Sequence, residues 1–160
     1  EILFNPRYGY GKNMNPCIDC HANMINIAHK YMEEVDANFI ISGEVLGQRP
    51  MSQKLDGLKK IEKLVIEPQI VVRPLSGKLL PPTIPEQNGW IDREKMFDIS
   101  GRERKIQMEL AEKFDLKNYE SPAGGCLLTD KSFGLKLKKF IKDRKLEVED
   151  IDILKVGRHL

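Results

Sequence analysis

Three cysteines set the first limit on how this chain can fold: Cys17 and Cys20 stand three apart, and Cys126 is alone behind Gly124-Gly125. An odd number of thiols cannot close into a complete disulfide framework, so 160 residues must rely on a buried apolar core. A chain of this length can do so, because it hides roughly 70% of its unfolded surface. With 41% hydrophobic and 31% charged residues, the composition is that of one soluble α/β-sized domain. The net charge of +2 names no polyanionic partner by itself. No apolar run approaches the ~20 residues of a membrane helix, and no secretory segment is visible. Thiols in such a chain point to the reducing cytoplasm. An opening on Glu1 and a close at Leu160, just after a strand-like stretch, read as a fragment cut at both ends.

Residues 1–14 read as a loop bearing Tyr8, Gly9, Tyr10 and Gly11. Asn15 as N-cap and Pro16 as first helical residue predict a helix start. Met24, Ile27, Ala28, Tyr31 and Val35 supply the expected apolar stripe of that helix. The run Asn38-Phe39-Ile40-Ile41-Ser42-Gly43 reads as a short buried strand ending in a glycine turn. Helix followed by apolar strand is half of a βαβ unit, the crossover that parallel strands require.

Ser52 is expected to cap a second helix with Leu55, Leu58, Ile61 and Val65 inward. Ile70-Val71-Val72 is the second strand, closed by Pro74. Four prolines between Arg73 and Gly89 predict a long, stiff connection. Asp92 opens a short helix. Ser100 with Glu103 forms a capping box for another, whose apolar face is Ile106, Leu110, Ala111 and Phe114. A loop from Tyr119 to Thr129 delivers Cys126, and Asp130 starts a basic amphipathic helix reaching Lys145. Ile151–Val156 is expected as a strand, so that residues 1–145 form the main domain and 146–160 a tail or the start of a further module.

A helix starting at Pro16 puts Cys17 and Cys20 at i,i+3 on the first turn, both sulfurs on one side. Unsatisfied backbone N–H groups and the positive helix end favour thiolate there, which suits metal ligation or persulfide chemistry equally. Gly124-Gly125 lets the backbone before Cys126 approach a bulky group. Three thiolates can hold three corners of a 4Fe–4S cluster and leave one iron open. Other readings stay open. The cysteines can be buried residues without chemistry. Zinc completed by His21 is a second reading, although adjacent ligands diverge by ~100° around a helix. Cys-Ile-Asp-Cys-His is also the c-type haem attachment pattern, against which stands the missing export signal.

Four stretches carry a family resemblance: Gly9–His21, Phe39–Ser52 with its Gly-Gln-Arg-Pro-Met-Ser run, Arg73–Pro82, and Ser121–Cys126 with its Gly-Gly-Cys. They resemble the PP-loop tRNA sulfurtransferases, proteins similar to 4-thiouridine synthase or 2-thiouridylase. The resemblance implies part of an open parallel-sheet domain of the adenine nucleotide α-hydrolase-like, PP-loop type, with extra helices. It implies that ATP with Mg adenylates a uridine carbonyl in tRNA and that sulfur then displaces AMP. Under it, Cys17, Cys20 and Cys126 are the cluster ligands. In the persulfide form of the chemistry, Cys126 accepts sulfur and one of the pair resolves it. Gly43 and Glu44 border the nucleotide, Gln48 and Arg49 face phosphate or RNA, and Lys78 stands near the reacting phosphate or carbonyl. The implied donor is sulfide, a cysteine desulfurase or a carrier protein, and a homodimer is one expected assembly. The family's ATP-gripping Ser-Gly-Gly-x-Asp-Ser loop does not occur in these 160 residues, so the chain is expected to be the back portion of such an enzyme.

The helix from Lys131 to Lys145 puts Phe133, Leu137, Phe140 and Ile141 inward and Lys138, Lys142 and Lys145 outward. That stripe suits tRNA phosphates, and equally a solvated face. His29 reads as structural, and Tyr8, Tyr10 and Trp90 as packing residues able to stack on a base. Two rival classes accompany thiolation: a zinc- or cluster-stabilised RNA-binding module without catalysis, and a dithiol redox protein using the Cys17/Cys20 pair.

Overall fold

A computed structural model describes residues 2–119 and 126–156. The chain divides into two compact units, Cys17–Tyr119 and the pair of segments Glu1–Pro16 with Glu120–Leu160.

The Cys17–Tyr119 unit is mixed α/β. Helix α1 (Cys17–Glu34) leads to strand β1 (Ile40–Ile41), helix α2 (Leu55–Glu62) and strand β2 (Val71–Val72). The strands pair in parallel, Ile40 opposite Val71 and Ile41 opposite Val72, and the Ser42 amide extends the ladder to the Val72 carbonyl at 2.8 Å. The connection through α2 is the helical crossover that parallel pairing demands. Among the described residues the sheet has these two strands; the wider open sheet implied by the resemblance is not seen. The core gathers Ile18, Ala22 and Ile25 from α1, Leu58 and Ile61 from α2, and the β2 valines. Asn26 pins the chain leaving α2, donating to the Leu64 carbonyl and accepting from the Ile66 amide, both at 3.0 Å.

Several expectations are corrected here. α1 begins at Cys17, one residue later than Pro16 as first helical residue implies. Its buried face is Ile18, Asp19, Ala22, Ile25 and His29, while Met24, Ile27, Tyr31 and Val35 are exposed. The packing of α1 against α2 and β1 selects the first set, which has the same helical spacing. Lys54, not Ser52, precedes α2; Ser52 is fully buried, and its hydroxyl has no hydrogen-bond partner among the described residues. Leu55 is exposed, whereas Leu58, Ile61 and Val65 are buried as expected.

The proline-rich stretch is folded rather than merely stiff. A 3₁₀ turn covers Gly77–Leu79 and a short helix α3 covers Ile84–Gln87. The Glu86 carboxylate accepts from the Thr83 amide at 2.7 Å and from Arg93 Nη1 at 2.6 Å, while Arg93 Nη2 donates to the Leu80 carbonyl. Asp92 does open a 3₁₀ turn, Arg93–Lys95, accepting from the Glu94 amide. Helix α4 (Lys105–Lys113) follows Arg104 with no side-chain cap, and Ile106 and Phe114 are exposed, so neither the Ser100 capping box nor the apolar face forms. Ser100 instead bridges in parallel to Leu46. Gly47 and Gly101 flank that bridge at φ +78° and +89°, a region open to glycine.

In the other unit, a 3₁₀ turn (Leu127–Thr129) precedes α5 (Lys131–Asp143) and α6 (Val148–Val156). Asp130 caps α5 by accepting from the Phe133 amide at 2.7 Å, as the sequence predicts. Met14, Phe133, Leu137 and Leu154 form its core, with Phe140, Ile141 and Ile151 packed around them. The strand expected at Ile151–Val156 is therefore a helix, which turns Ile151 and Leu154 together onto α5 and leaves Val156 outside. Gly124 and Gly125 lie outside the described residues.

Candidate functional site

The carboxyl ends of β1 and β2 bring charge together beside the first turn of α1. Parallel pairing lines up residues just past the two strands, and there the chain places Glu44 and Arg73. Arg73 Nε donates to Glu44 Oε2 at 2.9 Å, and His21 Nδ1 lies 2.9 Å from Glu44 Oε1. Glu44 is 9% exposed and Arg73 8% exposed, so this pair is withdrawn from water. His21 follows Cys20 directly, so Glu44 couples the thiol-bearing turn of α1 to the ends of both strands.

Burial on its own would push the Glu44 carboxyl up, but the His21 hydrogen bond and the Arg73 charge outweigh it and hold the group below the usual carboxylate range. The consequence for stability has a definite sign. A depressed carboxyl stabilises the fold above its unfolded pKa of about 4.3 and loses that contribution as pH falls through the native value. Denaturant midpoints measured from pH 6 downward are expected to fall more steeply in acid for the wild type than for Glu44→Gln. Parallel curves would remove the ion pair from the account.

Cys17 and Cys20 sit on the first turn of α1, Cys17 half-buried and Cys20 exposed. Cys126 is exposed in the other unit, immediately before the 3₁₀ turn, where its carbonyl accepts from the Thr129 amide at 2.8 Å. Within that unit, Met14 and Leu128 are joined backbone to backbone at 3.2 Å, and Asn13 Nδ2 donates to the Thr129 carbonyl at 2.6 Å. Residues 13–14 and 128–129 of that unit are thus hydrogen-bonded to each other. Among the described residues, no group of three or more His, Cys, Asp or Glu converges as a metal site within either unit.

Gly43 is exposed, and both Glu44 oxygens are engaged. Gln48 Nε2 donates to Gln107 Oε1 at 2.9 Å, whereas Arg49 is exposed. Lys78 Nζ is 3.5 Å from Glu94, an ion pair at the surface. Lys138 and Lys142 are exposed on α5, and Lys145 pairs with Glu147 at 3.1 Å. His29 is buried with Nε2 3.1 Å from Glu67, and Trp90 stacks on Phe39 with centroids 6.4 Å apart. Arg73 is the functional candidate that residue-type reasoning passed over. The available signal was a charged residue directly behind an apolar strand, matched by Glu44 behind the other. No helix of the described residues is long and apolar enough to cross a membrane.

A thiol pair at a helix start, followed by a histidine tied through a buried carboxylate to the ends of two parallel strands, defines a mixed α/β protein with its polar centre at those strand ends. Residues 10–79 match the family described as Thiamine biosynthesis protein (ThiI), the PP-loop family of tRNA 4-thiouridine synthases. The matched stretch holds Cys17, Cys20, His21, Glu44 and Arg73, so the resemblance to PP-loop tRNA sulfurtransferases stands over it, and it supports a function related to tRNA thiolation. Neither the curated proteins nor the solved structures give a match to the chain.

Proposed function

We propose that this chain carries the thiol centre of an ATP-dependent tRNA uridine thiolation enzyme, a sulfurtransferase. The uridine carbonyl oxygen attacks the α-phosphorus of Mg-bound ATP and releases pyrophosphate; sulfur then adds at the activated carbon, and AMP leaves with the oxygen. The observation that carries this reading is the family match across the Cys-Ile-Asp-Cys segment.

Cys17, Cys20 and Cys126 are the proposed ligands of a 4Fe–4S cluster. Support comes from two thiols on one helical turn, where the helix end favours the anion. Such a cluster supplies an open iron able to hold sulfide. Lys78 neutralises charge developing on the activated oxygen; its surface pair with Glu94 costs little to exchange. Gly43 borders the nucleotide through its exposed backbone, and Glu44 does so by holding His21 and Arg73 in position. Gln48, Arg49, Lys138, Lys142 and Lys145 take tRNA phosphates. Sulfide, a cysteine desulfurase or a carrier protein supplies the sulfur, in the cytoplasm, with a homodimer as the proposed assembly.

The exposure of Cys20 and Cys126 favours one second reading. Here Cys126 carries a persulfide whose terminal sulfur attacks the activated carbon, and a thiol of the pair displaces it by forming a disulfide with Cys126.

Anaerobic purification decides between them. The cluster reading expects a brown protein with about four irons per chain, lost in Cys126→Ala. An iron-free protein whose Cys126→Ala variant loses sulfur transfer supports the persulfide. A colourless protein holding zinc with no thiolation activity, or a dithiol oxidoreductase indifferent to Cys126→Ala, overturns both.

A further inference from the structure

The Cys17–Tyr119 unit holds a cavity of about 290 Å³ that the thiol chemistry does not use. It opens between α2, the 3₁₀ turn at Pro68–Ile70 and the proline-rich stretch, with apolar walls from Leu58, Val71, Leu80, Pro81 and Met96. Arg73 also lines it. Its side chain is 8% exposed and Nε is spent on Glu44, while the two terminal nitrogens are not among the fully buried unpartnered atoms of the described residues. A carboxylate in the cavity would give those N–H groups charge-assisted hydrogen bonds, stronger than those to a neutral acceptor.

We propose that this cavity binds a small monocarboxylate with an apolar body. The terminal nitrogens of a guanidinium present parallel N–H groups that match a carboxylate in two-point fashion. The charge around the cavity selects a monoanion. Glu44 already balances Arg73, and the two carboxylates lining the same space, Glu62 and Glu86, outnumber its one further cation, Lys59, so a dianionic phosphate meets more like charge than a monoanion does. Glu86 does not compete for Arg73, because Thr83 and Arg93 occupy its oxygens. The volume lies at the lower limit of ligand pockets, which admits a short chain or single ring and no nucleotide. The proposal shares Arg73 with the nucleotide border proposed above, but it does not rest on the thiolation reading.

Hexanoate is the probe, titrated into the whole chain while methyl NMR signals of Leu58, Val71 and Met96 are followed. Saturable shifts are expected with hexanoate, and binding at least about tenfold weaker with 1-hexanol, which lacks the charge, and with acetate, which lacks the body. Leu80→Trp, which adds bulk to the apolar wall of the cavity, is expected to abolish the shifts. The site is overturned if hexanoate gives no saturable shift, if hexanol or acetate matches it, or if a folded Leu80→Trp protein still binds. The comparison of the three probes on the wild type stands even should that variant fail to fold.

Discussion

Glu44→Ala is expected to cost about 3–5 kcal/mol of folding stability, the usual result of removing one partner from a buried ion pair. The loss goes beyond the hydrogen bonds themselves. Arg73 is left charged and buried, and its Nε has nowhere to donate. His21 loses its Nδ1 partner at the same time, so the first turn of α1 is no longer tied to the strand ends. Glu44→Gln keeps the shape and one acceptor, and is expected to lose about 1–3 kcal/mol. Urea unfolding reads both values. A Glu44→Ala midpoint unchanged from wild type would mean that water, not Arg73, satisfies the carboxylate.

Gly57→Ala is the second large effect, and it runs against helix propensity. Gly57 lies inside α2, where alanine ordinarily gains about 1 kcal/mol over glycine. An added Cβ falls on the carbonyl oxygen of Met51, well inside contact distance, and meets the Ser52 carbonyl carbon at 3.2 Å. Both are backbone atoms of the turn feeding α2, so neither can swing aside as a side chain would. A net loss of about 2–3 kcal/mol is expected, read as a lower thermal midpoint. Gly43→Ala is the control: nothing lies within 4 Å of its Cβ position, and a change within about 0.5 kcal/mol is expected. Equal midpoints for the two variants would show that the Met51 turn yields freely.

Much of the site's frame was legible before any coordinates. Two apolar runs separated by a helix-forming stretch announce parallel strands, and Ile40–Ile41 and Val71–Val72 pair that way. Asp130 sits where a cap is chemically required, and Phe133 and Leu137 follow at a helical interval into the core. Other elements resisted because local pattern was degenerate. On α1, the stripe Ile18, Ala22, Ile25 and His29 competes with Met24, Ile27, Tyr31 and Val35, and both satisfy helical spacing. On α6, the three β-branched residues of Ile151–Val156 suggest a strand, yet only a helix sets Ile151 and Leu154 on the same side against α5. The thiols lie between these cases: their spacing was visible, and the two units of the chain divide them.

By itself the sequence determined the helix-start thiol pair, the parallel crossover and the cap on α5, because each depends on residues a few positions apart. Tertiary structure alone decided that Glu44 meets Arg73 across 29 residues and His21 across 23. A buried charge is tolerable only with a partner, and which partner arrives depends on strand pairing and helix packing rather than on any local preference.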